Sequence, residues 1–389
     1  MGHGGGDCCR RRRKPRQCQA VDSQKEADMV EQFKLKPEES VRVSEKALRA
    51  TVQAMFQKVG LGRDDAALAT DVLVTADLRG VDTHGVSNLL RLYLERYQNG
   101  NINAKPNWRI LRESPTTATI DSDTGHGIII TPKAMEIAVE KARKTGVGMV
   151  TVTNARHLAM ASYHAMVALK HDMIGVCMTS SPPTVVPTFA GKPLLGTNPI
   201  AFAAPADKEP PFVFDAATSV IPDNKVHIAR RLGIPLLPGW LADDEGRPIM
   251  EPTPAPEFGK HKLVPLGSVR EMGSHKGYGL GAIVDILCAV LSNSGFGAMR
   301  PRMTFAHYVA AYNVEAFTDL PRFKSMMDEF LRTLKSTPTA PGHDRVLVAG
   351  QLEWETTQDR LKNGIPLHQE VIDWFKKACG DMGIAYNLT

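Results

Sequence analysis

Apolar residues recur at helical spacing in three consecutive stretches near the start of the chain, at residues 44–60, 65–78 and 83–100. Apolar side chains three or four positions apart lie on one face of an α-helix, and a glycine that follows the last of them is typical of a helix end. We therefore expect three successive helices. The third is expected to begin at Thr83 or His84, with Thr83 as its N-cap.

The middle of the chain alternates between helical and strand-like patterns. A helix is expected from Thr131 or Pro132 to Gly146, and it is followed by runs rich in β-branched residues, with the sequences GVGMVTV, IGVCMTS and PFVFDAA. Helical spacing returns at residues 323–334 and 371–378. These patterns predict an α/β protein in which both chain ends form a helical part around an inserted α/β part.

The expected organisation starts with a disordered basic tail at residues 1–40. The helical part takes up residues 41–112 and 300–389, and the α/β part spans residues 113–299. The tail opens with the sequence MGHGGGDCCRRRRKPRQCQ, which has too few apolar residues to offset the entropy of ordering it. It also lacks the apolar core of a secretory signal.

The positive charge of the chain is concentrated in this tail. The formal net charge is +5, but residues 1–16 contain six of the 47 basic residues and one of the 42 acidic residues. The remaining chain is therefore electrically balanced. A balanced surface gives no reason to expect nucleic acid or an anionic membrane as a partner.

Cysteine usage and hydropathy bear on the cellular compartment. Outside the tail, Cys177, Cys288 and Cys379 stand singly in apolar settings, with neither the spacing of metal ligands nor a disulfide framework. No apolar run approaches the roughly eighteen residues that a membrane-spanning helix requires. We expect core thiols, no bound metal, and a soluble protein in the cytoplasm.

The segment RGVDTHGV at residues 79–86 carries the first candidate chemistry. A histidine in the first turn of a helix feels the positive end of the helix dipole, which keeps its imidazole neutral and able to accept a proton. On this pattern His84 is a candidate base, and Asn88 and Arg91 lie on the same side of the helix, where they can bind an acidic substrate. The alternative is that Thr83 and His84 only cap the helix.

The segment VTVTNARHLAMASYHAM carries a second histidine. His157 follows a strand-like run and precedes a helical pattern, the position at which α/β proteins expose side chains to ligands. A buried histidine with a structural role fits the same pattern, and that is the role we expect for His164. The loop SSPPTVVPTFAGKPLLGTNPIAFAAP, rich in hydroxyl groups, glycine and proline, serves either a ligand or the turn chemistry alone.

The segment GSHKGYGLGA matches the glycine fingerprint G-x-G-x-x-G/A, ahead of a helix expected at residues 280–291. The preceding residues are not strand-like, so the context of a Rossmann dinucleotide site is missing. A helix N-terminus flanked by His275 and Lys276 is nevertheless an anion site suited to phosphate. The alternative is a capped helix with a solvated lysine. A hydrolase is poorly supported, because neither G-x-S-x-G nor H-E-x-x-H appears.

From about Val41 onward, the chain resembles the malate/L-lactate dehydrogenase-like family of NAD(P)-dependent oxidoreductases. That family includes malate, sulfolactate and ureidoglycolate dehydrogenases and a reductase of a cyclic imine. The resemblance is carried by the segments ADLRGVDTHGVSNLLR, LGTNPIAFAAP, FDAATS, GWLADDEGRPI, GSHKGYGLGAIVDILC and RLKNGIPL. It implies a homodimer whose cofactor, NAD or NADP, binds to a mixed-sheet α/β domain without a Rossmann fold.

The resemblance also implies roles for individual residues. It makes His157 the general base and places His84 beside the substrate, with Thr83 behind it and Lys225 in the active site. For the cofactor it implies Ser181, Asp215, Ala216, Ala217, His275, Lys276, Gly342 and Arg345. The implied reaction moves a hydride between nicotinamide and a small 2-hydroxy acid, while a base takes the hydroxyl proton.

Three positions depart from the pattern of the family. Asn88 stands where many relatives carry an arginine that binds the substrate carboxylate, and Arg91 is the expected replacement. Ala159 stands where relatives commonly have glycine, and Pro222 is unusual in its segment. The alternatives to a 2-hydroxy acid dehydrogenase are therefore a reductase of a 2-keto acid or cyclic imine, and a dinucleotide-binding protein without catalysis.

Overall fold

The computed structural model of the protein describes residues 1–2, 32–257, 259–301 and 303–388. Most of the predicted basic tail, residues 3–31, lies outside the described residues. The α-helices are α1 (Glu45–Lys58), α2 (Arg63–Leu78), α3 (Val86–Gln98), α4 (Gly127–Thr145), α5 (Ala161–Val167), α6 (Asn224–Leu232), α7 (Ser274–Asp285), α8 (Leu320–Lys335), α9 (Gln351–Asn363) and α10 (Gln369–Met382). Among the described residues, each helix is too short or too polar to cross a bilayer.

The strands form one large sheet and two small ones. They are β1 (Ser40–Val43), β2 (Arg109–Glu113), β3 (Thr117–Asp121), β4 (Val147–Ala155), β5 (Met173–Ser180), β6 (Ile200–Ala204), β7 (Phe212–Ala216), β8 (Leu241–Ala242), β9 (Lys262–Leu263), β10 (Phe305–Asn313) and β11 (Ile365–His368). The large sheet has the order β2-β3-β4-β10-β5-β6-β7. Its β3–β4 pair is parallel and its other pairs are antiparallel. The predicted α/β class with a mixed, non-Rossmann sheet is confirmed.

The two ends of the described chain meet in one helical part. Strand β1 pairs antiparallel with β11, so that Ser40 lies opposite His368 and Val43 opposite Ile365. Buried side chains of α1, α2, α3 and α10 belong to one apolar core that continues into the sheet. This agrees with the prediction that both chain ends build the helical part. The domain boundaries at residues 112 and 299 stay a prediction.

Several predicted elements begin elsewhere in the structure. Helix α4 begins at Gly127, four residues before the expected start, because the buried side chains of Ile128, Ile129 and Ile130 form its first turn and Pro132 is accommodated inside the helix. Helix α7 begins at Ser274, so the glycine-rich segment is helical rather than a loop before the helix.

The predicted start of the third helix is also wrong. Helix α3 begins at Val86, and the Val86 amide donates a hydrogen bond of 2.9 Å to a carboxylate oxygen of Asp77, at the end of α2. Thr83 does not cap the helix. Its hydroxyl lies 2.8 Å from Nδ1 of the His84 ring instead. His84 therefore precedes α3 and belongs to a turn rather than to the first turn of the helix.

Strand β10, which lies between β4 and β5, brings the candidate residues together. Phe305 at its start lies opposite Ala155 on one side, and the next residue, Ala306, lies opposite Ser180 on the other. The chain segments that contain His157 and Ser181 therefore leave the same edge of the sheet. The sequence pattern had assigned β10 to the helical part, because it lies beyond residue 299.

Candidate active site

A cavity of about 720 Å³ opens at this edge of the sheet. Its walls come from α3, the turn before it, the ends of β4 and β5, the start of α6, and the junction of β11 with α10. Both candidate histidines, His84 and His157, line the cavity. So do Asn88, Arg91 and Ser181, three of the other residues that the sequence singled out.

The rings of His84 and His157 face each other across this cavity. Their centroids lie 5.8 Å apart and their planes differ by 26°. Both side chains are half-buried, and the Phe305 ring lies 5.3 Å from that of His157. Two imidazoles that are distant in sequence thus share one cleft, as the resemblance implied.

A buried tyrosine holds the His157 ring. The Tyr93 hydroxyl lies 2.6 Å from His157 Nδ1, and Tyr93 is fully buried. When Nδ1 carries the proton and donates it to the tyrosine oxygen, Nε2 is left with a lone pair that can accept a proton. Burial, the His84 ring and the positive charge of Arg96 hold the pKa of His157 well below its usual value. A histidine with a lowered pKa is neutral at physiological pH and can accept a proton.

The turn that carries His84 is fixed by hydrogen bonds. The Asn88 amide donates to the Asp82 carbonyl at 2.8 Å, and the Asn224 amide of α6 donates to the Thr83 carbonyl at 2.8 Å. Burial lowers the pKa of His84 to about 4. The sequence predicted the neutral ring correctly but gave the helix dipole as its cause, whereas burial dominates. The amide oxygen of Asn88 is buried and has no hydrogen-bond partner in the described structure.

Arg91 does not offer the cavity an unpaired charge. Its guanidinium donates to Glu370 of α10 at 2.7 Å and lies over the Trp374 ring, 5.1 Å from the centroid. Arg231 of α6 approaches the same carboxylate to 3.7 Å. Glu370 therefore compensates the positive charge of Arg91, which the sequence analysis had expected to bind the substrate.

Lys225 does not reach the cavity. Its ammonium group lies over the Phe33 ring, 4.6 Å from the centroid, while its neighbours Asp223 and Asn224 line the cavity. In α6 the lysine stem packs toward the small apolar core that contains Phe33. The role that the resemblance implied for Lys225 stays a prediction.

Of the residues predicted to bind the cofactor, Ser181 borders the cavity. Arg300 donates to its carbonyl at 3.0 Å, and its amide donates to the Asn198 side chain at 3.0 Å. Asn198 in turn donates to the carbonyl of Gly281 in α7 at 2.9 Å. A side chain at Gly196 would overlap Ser181. These contacts connect the cavity rim to α7.

His275 and Lys276 lie in the first turn of α7, at the far end of this connection. The Nδ1 atom of His275 is buried without a hydrogen-bond partner, and so is the hydroxyl of Thr184, which lines the cavity. Buried polar atoms without a partner inside the protein are free to bind a polar ligand. The first-turn amides of α7 can in addition bind an anion such as a phosphate.

The other residues predicted to bind the cofactor do not line the cavity. Asp215, at the end of β7 with Ala216 and Ala217, accepts a hydrogen bond of 2.7 Å from the Ser162 amide. Desolvation of the carboxylate raises its pKa to about 6. Arg345, in the loop after Gly342, donates two hydrogen bonds of 2.7 Å to Glu355 on α9. Both groups are thus engaged within the protein.

The backbone explains one departure from the family pattern. Ala159 has a φ of 61°, in the left-handed region that disfavours residues with a Cβ atom, and it is buried. A glycine would adopt this conformation without strain. His164, two turns away on α5, is buried, and its Nε2 lies 2.7 Å from the Leu158 carbonyl. It has the structural role that the sequence predicted.

Sequence reasoning missed two residues at this site, Tyr93 and Arg96 of α3. Both belong to the apolar and charged pattern of an ordinary amphipathic helix, so neither is distinguished by its spacing. The available signal was the position along the helix, because Arg96 lies about two turns after Asn88, and Tyr93 lies one turn before Arg96. This part of α3 could be identified as the cavity wall only once His84 was located.

Comparisons with known proteins show the family to which the chain is similar. A family model described as malate/L-lactate dehydrogenase matches residues 43–376. The chain is 39% identical over 355 residues to the malate dehydrogenase of Pyrococcus abyssi, covering 89% of this chain and 96% of that protein. It is 30% identical over 342 residues to the ureidoglycolate dehydrogenase (NAD(+)) of Escherichia coli O157:H7, covering 86% and 95%.

The fold is similar as well. The crystal structure of malate dehydrogenase from Entamoeba histolytica superposes with a TM-score of 0.84 at 35% sequence identity. The superposition covers 89% of this chain and 99% of that chain. The similarity therefore extends over nearly the whole of these proteins and is not limited to the cavity.

Proposed function

Because this chain belongs to the malate/L-lactate dehydrogenase family of hydroxy acid dehydrogenases, we propose that it moves a hydride between NAD or NADP and a small 2-hydroxy acid of the malate or lactate type. The observation that carries the proposal is the pair of neutral imidazoles, His84 and His157, whose rings lie 5.8 Å apart in one cavity. A neutral imidazole can accept the proton that a 2-hydroxy acid loses on oxidation.

In this mechanism His157 is the acid/base. Its Nε2 takes the proton of the C2 hydroxyl as the C2–O bond becomes a carbonyl, and the hydrogen on C2 departs as a hydride. Nicotinamide, when bound, supplies the hydride acceptor. Tyr93 holds the ring in the productive orientation through Nδ1. In the reverse direction His157 returns the proton to the oxygen of a 2-keto acid.

His84 is proposed to position the reacting oxygen. Its ring is neutral, is held by the Thr83 hydroxyl at 2.8 Å, and lies opposite His157. A hydroxyl between the two rings can hydrogen-bond to both of them. Thr83 is thereby proposed to fix the orientation of the His84 ring and not to contact the substrate itself.

For the cofactor we propose a path along the rim of the cavity. Ser181 and Thr184 border the cavity, and His275 and Lys276 stand at the start of α7. The positive end of α7 and the Lys276 charge favour the phosphates. Turnover with NAD compared with NADP identifies the preferred dinucleotide.

We further propose a homodimer. Along α7 and the following π-helical turn, five large apolar side chains are between 39% and 61% exposed, namely Leu280, Ile283, Ile286, Val290 and Leu291. A continuous apolar surface of this kind is uncommon on a monomer and is typical of an interface. A second copy of the chain is the proposed occupant, and light scattering of the purified protein measures it directly.

A cytoplasmic location is part of the same proposal. Cys177, Cys288 and Cys379 are free and buried in the structure. Unpaired core thiols are typical of proteins from reducing compartments. Fractionation of cells that express the full chain tests this part independently of activity.

Reduction of a cyclic imine is a second candidate, favoured by one observation. The buried Asn88 oxygen lacks a donor and stands where relatives commonly have a cation. An oxygen acceptor can bind the N–H group of a protonated imine, whereas an arginine would repel it. An assay that offers cyclic imino acids with NAD(P)H, beside 2-hydroxy acids with NAD or NADP, separates the imine reductase from the hydroxy acid dehydrogenase.

The test incubates purified protein with NAD or NADP and a panel of 2-hydroxy acids, and follows the absorbance of the reduced nicotinamide. Turnover of at least one 2-hydroxy acid is expected. Binding of NADH or NADPH without turnover of any hydroxy acid, keto acid or imino acid would support a dinucleotide-binding protein without catalysis. Absence of both binding and turnover would reject the proposed function altogether.

A further inference from the structure

A 2-hydroxy acid carries a carboxylate, which a cation in the cavity must neutralise. The cavity is lined by the guanidinium groups of Arg91, Arg96 and Arg231. Arg91 and Arg231 share the carboxylate of Glu370, at 2.7 Å and 3.7 Å. Arg231 also donates to the Ser87 carbonyl at 3.0 Å. Both are therefore already engaged within the protein.

Arg96 has no such partner. Its Nη2 lies 3.6 Å from the Met303 sulfur, a weak acceptor, and its Nε is buried without any acceptor. Glu95 borders the cavity too, but it is exposed and makes no ion pair with Arg96. Within the described part of the chain, no carboxylate lies at ion-pair distance from this guanidinium. A half-buried cation without a partner is costly unless a ligand supplies the opposite charge.

A second cation, Arg156, lies near Arg96. The charge of Arg96 lowers the pKa of Arg156. The Arg156 side chain donates to the carbonyls of Asn101, at 2.6 Å, and Ala155, at 3.2 Å, so it too has no carboxylate partner in the described structure. This side of the cavity therefore attracts an anion.

The position of Arg96 relative to the base is suitable. It lies one helical turn after Tyr93 on α3, and Tyr93 contacts His157 directly. Arg96 also contributes to the lowered pKa of His157, which places its charge near that ring. Arg96 lines the same cavity as His84 and His157, so a carboxylate bound to it would share that cavity with the two imidazoles.

We propose that Arg96 binds the carboxylate of the substrate, in the role that the sequence assigned to Arg91. This inference rests on the proposed function and specifies its substrate as an acid with a free carboxylate beside the reacting carbon. Arginine is suited to this task because its planar guanidinium forms two parallel hydrogen bonds with a carboxylate. Esters and amides of the same acid would lack that contact.

The test compares Arg96→Met with Arg91→Met, since methionine keeps much of the length of arginine and removes its charge. For Arg96→Met we expect the KM of the 2-hydroxy acid to rise about tenfold or more, the loss of a charge-assisted contact, while the KM of the dinucleotide stays within about twofold. Arg91→Met should change the substrate KM about threefold or less. A larger effect at Arg91, or a rise in the dinucleotide KM instead, would overturn the assignment.

A binding measurement separates this inference from the proposed function. Oxalate, an unreactive dicarboxylate, is titrated calorimetrically into each protein in the presence of NADH. One outcome is that wild type turns over no acid but binds oxalate, while Arg96→Met does not bind oxalate. In that case the proposed function fails and the anion site stands. If wild type is active and Arg96→Met changes neither KM nor oxalate binding, the anion site fails. Should Arg96→Met not fold, Arg96→Lys is used, with partial retention of oxalate binding expected and full retention contradicting the bidentate contact.

Discussion

The phenolic oxygen of Tyr93 lies 2.6 Å from Nδ1 of His157, although the two residues are 64 positions apart in the chain. Tyr93 is fixed by burial in α3, and His157 follows the end of β4. The helical part of the protein thus fixes the orientation of the His157 ring, which belongs to the segment after strand β4. Chemistry at the cavity depends on the packing of these two parts against each other.

Replacing Tyr93 by phenylalanine should lower kcat about tenfold, because Nδ1 loses its buried partner and the ring its orientation. The pH dependence of kcat should also shift, which a purely structural role would not cause. Tyr97→Phe is the matched control, since the Tyr97 hydroxyl lies 2.9 Å from the His126 ring in an equally buried setting. If both variants lose activity equally, Tyr93 has no special role in positioning His157.

Replacing His157 by glutamine should lower kcat by roughly 10²–10⁴-fold, because an amide cannot carry the proton. Binding of NADH, measured by fluorescence, should be nearly unchanged. The control is His171→Gln, which alters a histidine that pairs with Glu136 at 3.0 Å and does not line the cavity. Turnover at the level of wild type in His157→Gln would remove His157 from the mechanism.

The buried carboxyl of Asp77 should make stability depend on pH. Burial raises its pKa from 3.8 to about 8, so the folded protein keeps a proton that the unfolded chain releases. The stabilisation that this group provides is complete below pH 3.8 and is lost as the pH rises toward 8.

Asp77→Asn keeps an acceptor for the Val86 amide and removes the titration. Its free energy of unfolding relative to wild type should therefore increase between pH 4 and pH 8, by more than about 1 kcal/mol, because only wild type loses stability over this range. Urea denaturation at several pH values measures the difference. A difference that does not vary with pH would mean that Asp77 is ionised in the folded protein throughout this range.

Replacing Gly85 by alanine should destabilise the turn that carries His84. A Cβ atom there would overlap the Asp77 carboxylate, displace it from the Val86 amide, and cost roughly 1–3 kcal/mol. Activity should fall along with stability, because His84 is the preceding residue.

The control for this substitution is Gly380→Ala in α10, where an added Cβ meets no atom within 4 Å. That variant should be about 0.5–1 kcal/mol more stable than wild type, as expected for alanine in a helix. Thermal unfolding and kcat of both variants test the pair. An unchanged melting temperature in Gly85→Ala would show that the turn can rearrange.

Local patterns were sufficient for much of the fold. Helix α1 begins after Ser44, whose hydroxyl accepts a hydrogen bond from the Ala47 amide as an N-cap should. The segment IGVCMTS is strand β5, as its β-branched composition predicts. These features depend on neighbours a few residues away, and so they can be read from the chain directly.

The features that the sequence missed depend on distant residues. The start of α3 is set by Asp77 from the preceding helix, and the charge of Arg91 is compensated by Glu370, 279 positions away. Neither partner can be inferred from spacing. The importance of Arg96 follows from the absence of a partner within the described residues, and only the folded arrangement reveals it.

The pairing of β1 with β11 has a consequence for biosynthesis. His368 is the last residue of β11, and Glu370 follows it in α10; both form part of the cavity wall. A ribosome must therefore synthesise and release residues 365–370 before that wall can close, long after the other side of the cavity has left it. A premature stop codon before Ile365 would leave β1 without its partner strand and the cavity open on one side.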